Sequence, residues 1–328
     1  MTGGTIGSSE HNGIISTCRS GCTAIDKYNS KYGSSTDFHI FRILNILSEN
    51  LTLSHWETIV NHLLTTDLSG YNGVLILHGS DTLSYSSAFL GIALSSIKIP
   101  VVITASDRVP DDPESNACEN IRAAVLCFKS LSRGVFSVYK NKDNSFCSVY
   151  LATRLNEADR VFGNFSSFDG VPFAIVENDT IKLRGGIPAE KVISCSGYRP
   201  SLPLVLKNRV LMIRQYPGAR LTDIVLSDDT KAVLVITYHS SSASTEEDGS
   251  VLGLLKRCKE KNIELFLASF DKNGSAVYET SSLLIKNGAR PLKHISNEAA
   301  YAKLLLWAQL PESEREIFLN ENCFFEYL

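Results

Sequence analysis

Residues 73–77 read Gly-Val-Leu-Ile-Leu and residues 101–104 read Val-Val-Ile-Thr, two short runs with almost no polar side chain. A strand that is apolar on both faces has no side to present to water. It is therefore restricted to a buried place in a mostly parallel sheet covered by helices. Between the runs, residues 85–96 alternate small and apolar side chains as a helix packed on such a sheet does, and Ile-Lys-Ile-Pro at 97–100 leads into the second run. Strand, helix and strand make a βαβ unit. The polar group His78-Gly79-Ser80-Asp81-Thr82-Leu83 directly follows the first run. That places it at a strand's carboxyl end, where open α/β sheets bind ligands.

A second motif opens the chain, Met1-Thr2-Gly3-Gly4-Thr5-Ile6-Gly7. Two glycines before Thr5 permit backbone angles closed to other residues and a close approach to the main chain. The β-branched pair Thr5 and Ile6 is stiff at χ1, which holds a hydroxyl in one direction.

At these two motifs the chain resembles the asparaginase/glutaminase family of threonine amidohydrolases, which carries T-G-G-T-I at the end of its first strand and H-G-T-D-T in a later loop. Similarity continues in Leu47-Ser48-Glu49-Asn50-Leu51-Thr52 followed by Trp56, in Ser115-Asn116 with Asn120, and in Ala152-Thr153-Arg154 with Phe165-Ser166-Ser167. It extends weakly to the end of the chain. The resemblance implies hydrolysis of a side-chain amide, asparagine to aspartate and ammonia, with Thr5 as nucleophile and Ser80 and Asp81 in a second cluster. Ser48, Glu49 and Gly79 fall where the family binds substrate. It also implies an oligomer, a homodimer or homotetramer, in which the turn at 238–244 reaches a neighbouring subunit through Ser242, with Glu279 as a further contact.

The chain departs from the family pattern at several of these places. The family tyrosine stands in the loop after the nucleophile, where this chain reads Asn12-Gly13-Ile14-Ile15. Isoleucine moves no proton, so Tyr28 or Tyr32, later in the same stretch, is the substitute candidate, against the plainer reading that both are ordinary loop residues. The family lysine lies in a run like T-R-x-x-K-x-D. Here Glu157 stands in its place. Either Asp81 and Glu157 share a proton in a partly buried site, which raises the pKa of at least one, or Glu157 points away. Ser80 in place of threonine keeps the hydroxyl and loses only the methyl that restrains it. Glu49 puts an acidic side chain where the family grips an α-carboxylate, which disfavours a free α-amino acid unless Arg108 or Arg154 compensates. His78 is expected to pack at the strand end, and Asn116 and Asn120 to cap or pack the helix that follows. Three readings remain: an asparaginase, an amidase acting on another amide, and a catalytically silent relative that binds a small ligand or protein partner.

Relatives also carry an apolar strand ahead of T-G-G-T-I, and this sequence has no residue before Met1 to form one. The expectation is a central sheet short of a strand, or a native start upstream.

Composition narrows the class. A net charge of −3, with 32 basic and 35 acidic residues, supplies no field for nucleic acid. No apolar run is long enough to span a bilayer, and no signal peptide is evident, so a cytoplasmic location is expected. The 8 cysteines are scattered, which predicts reduced, mostly buried thiols. Cys18 and Cys22 lack C-x-x-C spacing, and neither a metal site nor a cofactor is expected.

With 328 residues, two cores are expected. Strand and helix patterns alternate to about residue 183, with a polar loop over 8–37, helix-like segments from 38, over 53–66 and over 115–130, and strands over 134–139 and 146–151 joined by a turn at 141–144. Residues 189–206 read as a linker. A second α/β pattern follows, with strands over 210–215, 232–237 and 264–269 and helices over 250–261 and 297–309. The prediction is a larger mostly parallel α/β domain over 1–188 and a smaller α/β domain over 207–328.

Overall fold

The computed structural model describes residues 1–11, 13–17, 22–270 and 277–328. It forms two compact units: Met1–Val205 with Cys323–Phe325, and Leu206–Asn322 with Glu326–Leu328. Both are α/β.

In the first unit a hairpin comes first, β1 (Ser8–His11) and β2 (Ile14–Thr17), then helices α1 (Thr23–Tyr32) and α2 (Leu53–Thr65). β3 (Val74–Leu77), α3 (Leu83–Ala93), β4 (Pro100–Thr104), α4 (Ala117–Ser130) and β5 (Gly134–Tyr139) follow as two successive βαβ crossovers. β6 (Cys147–Leu151), β7 (Ala174–Glu177) and β8 (Thr180–Leu183) return antiparallel, and α5 (Ala189–Ser194) closes the unit. The sheet order is β3-β4-β5-β6-β7-β8, with β3, β4 and β5 parallel. Every residue of β4 and β5 is buried, as their apolar runs require. β3 is an edge strand, and its first two residues, Val74 and Leu75, are only half-buried.

The opening residues complete this edge in part. Thr2 donates both its N–H and its hydroxyl to the Leu77 carbonyl, at 3.1 and 2.8 Å. Gly3 bridges Ile46 in parallel, and the N–H groups of Ile43 and Leu44 both reach the Met1 carbonyl. Residues 38–45 consequently run without helix, contrary to the helical pattern read there, because their backbone groups are taken up by the start of the chain. In its described residues the polar stretch over 8–37 likewise departs from a plain loop. It holds the β1–β2 hairpin and α1, which buries Ala24, Ile25 and Tyr28 against Ile6, Leu77, Ala117, Ile121 and Val125. Elements read at 53–66, 115–130, 134–139 and 146–151 are present within a few residues of those bounds.

In the second unit, β9 (Val210–Arg214), β10 (Ala232–Ile236), α6 (Val251–Glu260), β11 (Glu264–Phe270), α7 (Glu279–Lys286) and β12 (Arg290–Lys293) precede α8 (Asn297–Trp307) and α9 (Glu312–Asn320). The sheet is wholly parallel in the order β12-β11-β10-β9. Its core gathers Val233 and Val235 of β10, Leu265 and Leu267 of β11, Val251, Leu254 and Leu255 of α6, and Leu284 of α7. Among the described residues no helix is long and apolar enough to cross a membrane.

Candidate active site

β3 and β4 end in register, with Leu77 opposite Thr104, and the His78 N–H continues the ladder to the Thr104 carbonyl at 2.8 Å. The loop 79–82 therefore leaves the sheet at its carboxyl edge. The opening turn is laid directly on it. Gly4 has φ 72°, and a Cβ there would lie 2.3 Å from both N and Cα of Gly79. The two motifs touch backbone to backbone, an approach that only paired glycines allow. Thr5 follows in a single 3-10 turn (Thr5–Gly7) and is half-buried, while Ser8 donates its hydroxyl to the Gly4 carbonyl at 2.7 Å and pins the turn. Gly4→Ala is expected to cost about 2 kcal/mol or more, since left-handed strain of 1–3 kcal/mol adds to a backbone clash; a urea midpoint unchanged from wild type would contradict this.

The third segment is the 3-10 turn Ser48–Asn50. Ser48 is buried, its hydroxyl lies 3.5 Å from Oδ2 of Asp81, and its carbonyl accepts from the Thr82 hydroxyl at 3.0 Å. A Cβ on Gly79 would meet the Ser48 side chain at 2.3 Å. Thus the turn bearing Thr5 and the residues Ser48, Gly79, Ser80 and Asp81 converge on one edge, with Asp81 and Glu49 exposed to water.

His78 fixes this loop from beneath. Nδ1 lies 2.8 Å from the Gly79 carbonyl, so it carries the proton and donates. Nε2 is then the acceptor for the Ser86 hydroxyl at 2.9 Å, and that hydroxyl in turn accepts from Trp56 Nε1–H at 2.9 Å. Burial holds the imidazole pKa below its ordinary 6.5, opposed by the bond to Gly79. Near pH 6.5 and below, the unfolded chain binds more proton at this residue than the folded chain does. Stability is therefore full above about pH 6.5 and falls as the pH drops below it toward the lowered folded value. Urea midpoints of wild type at about pH 7.5 and 5.5 should differ, and His78→Gln should flatten the difference. The sequence showed His78 at the strand end, but not the relay from Trp56 through Ser86, whose members lie on α2 and α3.

The substitutes for the family tyrosine lie on helix α1, whose buried face packs against Ile6 and Leu77. Tyr28 is 1% exposed within the core between α1 and α4, with its ring against those of Tyr32 and Phe38. Tyr32 ends α1 beneath the Arg122 guanidinium, and burial raises its pKa, which leaves less of it ionised near neutral pH. Both belong to a helix rather than to a closing loop. Asn12 lies outside the described residues. Ile14 and Ile15 cross the tip of the hairpin and are 69% and 42% exposed.

Glu157 follows the 3-10 turn Ala152–Arg154 and is exposed, as is Asp81. The partly buried setting expected for a proton-sharing pair is absent, because water solvates both groups. Neither arginine considered as a partner for a carboxylate is open to one. Arg108 is held by Asp112 and Glu114 at 3.0 and 2.8 Å. Arg154 is 8% exposed at its side chain, pairs with Asp169 at 2.6 Å and donates to the Phe325 carbonyl at 2.8 Å. Asn116 and Asn120 brace loops. Asn116 bonds the Asp107 N–H and the Lys140 carbonyl, and Asn120 spans the Ala105 carbonyl and the Lys140 N–H.

In the second unit Ser242 lies in the turn after β10, its hydroxyl 3.0 Å from that of Ser240, and Glu279 is exposed at the start of α7. The Ser281 hydroxyl donates to the Ser241 carbonyl at 2.6 Å and ties the two places together. Cys22 is buried at the start of α1, and Cys18 lies outside the described residues.

A family model described as "Asparaginase, N-terminal" matches residues 1–188. The chain belongs to the asparaginase family. This asparaginase-family chain is 26% identical over 283 residues to the D subunit of the glutamyl-tRNA(Gln) amidotransferase of Methanosphaera stadtmanae, covering 84% of this chain and 63% of that one. The corresponding D subunit from Metallosphaera sedula is 26% identical over 298 residues, with 84% and 62% covered. The chain thus spans less than two thirds of the length of these curated relatives. Its fold matches the thermostable L-asparaginase from Thermococcus kodakarensis with a TM-score of 0.81, at 21% identity over 100% of this chain and 97% of that one. L-asparaginase I from Vibrio cholerae matches with a TM-score of 0.75 at 19% identity, over 100% and 97%. The two-domain asparaginase architecture read from the sequence is the fold observed.

Proposed function

We propose that this protein hydrolyses a carboxamide to a carboxylate and ammonia, with Thr5 as the nucleophile. The observation that supports this is the backbone contact of Gly4 with Gly79, which sets the Thr5 turn against Ser80 and Asp81. The Thr5 hydroxyl attacks the amide carbon, the nitrogen leaves as ammonia after taking a proton, and water then cleaves the threonyl ester and restores the hydroxyl. Ser80 and Asp81 serve the proton transfers, and Ser48 orients Asp81. Asparagine or a related side-chain amide is the substrate. A second copy of the chain completes the site through Ser242 and Glu279, making a homodimer or homotetramer in the cytoplasm.

Ammonia release from asparagine, glutamine, α-amidated asparagine and asparagine within short peptides tests this reading. Release from at least one is expected, and silence on all of them overturns it. Glu157→Lys restores a cation at the family position and is expected to raise the rate on asparagine about tenfold, or roughly 1.4 kcal/mol of barrier. An unchanged rate in that variant would show that the lysine's absence does not limit catalysis.

Similarity to the amidotransferase D subunits over most of this chain favours a second reading, in which the ammonia is passed to an amidotransferase partner. Glutamine-dependent ammonia release that rises on adding a copurifying partner would support it.

A further inference from the structure

The hydrogen bonds beneath the loop 79–82 run in one direction only. An indole N–H donates and never accepts, so the Ser86 hydroxyl, 2.9 Å from Trp56 Nε1, is fixed as its acceptor. The single hydroxyl proton of Ser86 is left for His78 Nε2, also at 2.9 Å. A neutral imidazole that accepts at Nε2 carries its proton at Nδ1, and Nδ1–H meets the Gly79 carbonyl at 2.8 Å. The indole on α2 thereby dictates the tautomer of a histidine two contacts away. Trp56, Ser86 and His78 are 4%, 0% and 1% exposed, so water does not compete for these bonds. The indole is itself held, stacked on Phe89 of α3 with ring centres 4.7 Å apart and planes 12° apart.

The relay ends at Gly79, where the three segments of the candidate site meet. A Cβ on Gly79 would lie 2.3 Å from the Ser48 hydroxyl oxygen and 3.1 Å from Cα of Gly4. Neighbours on both sides block any shift of its Cα. What a glycine leaves open is rotation of the peptide plane that joins it to Ser80. That peptide is trans and planar, so its carbonyl and the Ser80 N–H point in opposite directions. Holding the carbonyl on the buried side, against His78, turns the Ser80 N–H away from the imidazole. It also sets the direction from which the side chains of Ser80 and Asp81 leave the backbone.

We propose that Trp56, Ser86 and His78 are positioning residues, which hold the peptide between Gly79 and Ser80 in the orientation that amide hydrolysis at Thr5 requires. The inference rests on the amide-hydrolysing reading and adds to it a control set from α2 and α3. None of the three side chains reaches the substrate, because all are buried beneath the loop. They act through Gly79 alone. The first link is the most telling, since Trp56 affects the site only by leaving Ser86 one place for its proton. Without the indole N–H, the Ser86 hydroxyl is free to turn and to accept from an Nε2–H imidazole. Nδ1 then has no proton, and the Gly79 carbonyl loses the bond that fixes its plane.

The experiment uses Trp56→Phe, which keeps an aromatic ring on Phe89 and removes the donor. On whichever amide the wild type hydrolyses best, kcat is expected to fall about tenfold while KM stays within about twofold. Nitrogen-15 spectra of the imidazole, which separate protonated Nδ1 from protonated Nε2, are expected to show His78 wholly Nδ1-protonated in wild type and mixed in the variant. His78→Asn retains an N–H near the place of Nδ1 and is expected to keep several-fold more of kcat than His78→Gln, which carries its amide further out. A wild-type kcat in Trp56→Phe overturns the proposal. So does a loss of rate with His78 still wholly Nδ1-protonated, which would mark Trp56 as packing only, and so do equal losses in His78→Asn and His78→Gln. Should the wild type hydrolyse no amide, the amide-hydrolysing reading fails by itself. The tautomer and the exchange rate of the Ser80 N–H then still decide whether the relay sets this peptide, and no change in either with Trp56→Phe refutes it.

Discussion

Thr5→Ala is expected to lower ammonia release by about 10³-fold or more, roughly 4 kcal/mol of transition-state stabilisation, because the hydroxyl forms the covalent intermediate. Thr5→Ser is expected to retain part of the rate, since it keeps the hydroxyl and loses only the χ1 restraint of the methyl group. The turn itself should survive both changes. It is held by Gly4, Ser8 and the contact with Gly79 rather than by the Thr5 side chain. Melting temperature within about 1 °C of wild type, alongside loss of ammonia release, is the combined result that identifies a nucleophile. Equal rates for wild type and Thr5→Ala would remove Thr5 from the mechanism.

Lys303→Met is expected to destabilise the second unit by about 3–5 kcal/mol, the range for stripping one partner from a buried ion pair. Lys303 on α8 and Glu326 near the carboxyl terminus have side chains that are both 0% exposed, with Nζ 2.7 Å from Oε1. The ammonium also donates to the Glu321 carbonyl at 2.6 Å and lies 4.3 Å from the centre of the Phe318 ring and 5.6 Å from that of Tyr327. Its removal leaves the Glu326 carboxylate buried without its cation. Lys303→Met combined with Glu326→Leu should recover most of the loss, because the penalty comes from the orphaned charge rather than from an absent attraction. Urea unfolding followed at Trp307, on the same helix, measures both variants. A single variant as stable as wild type would show that water reaches the carboxylate.

The same carboxyl-terminal segment illustrates what a sequence hides. Residues 323–325 belong to the first unit, where the Thr153 hydroxyl donates to the Phe324 carbonyl at 2.7 Å and Arg154 to that of Phe325. From the sequence Arg154 is a candidate to compensate a substrate carboxylate, and it is instead paired with Asp169 and bonded to the Phe325 carbonyl. Nothing local in Thr-Arg-Leu-Asn-Glu announces a partner 171 residues away. Tyr28 shows the same limit, because a polar, serine-rich stretch gives little hint that one helix within it buries its face against α4.

Strand and helix positions were legible where a segment's burial follows from its own pattern. The run Val-Leu-Ile-Leu admits no other place than a sheet, and two glycines before Thr5 admit few other uses than a tight turn. From such local patterns follow the α/β class, the order of the elements and the two motifs that mark the family. Which residues meet was settled by contacts across the fold: Gly4 on Gly79, Ser48 beside Asp81, and Trp56 joined through Ser86 to His78. Those contacts also made Tyr28 a core residue and set residues 38–45 alongside the chain's start instead of in a helix. The division has a physical cause. Periodicity and backbone restriction act between near neighbours in the chain, whereas hydrogen-bond partners and burial are settled by whichever distant segments the fold brings within a few ångströms.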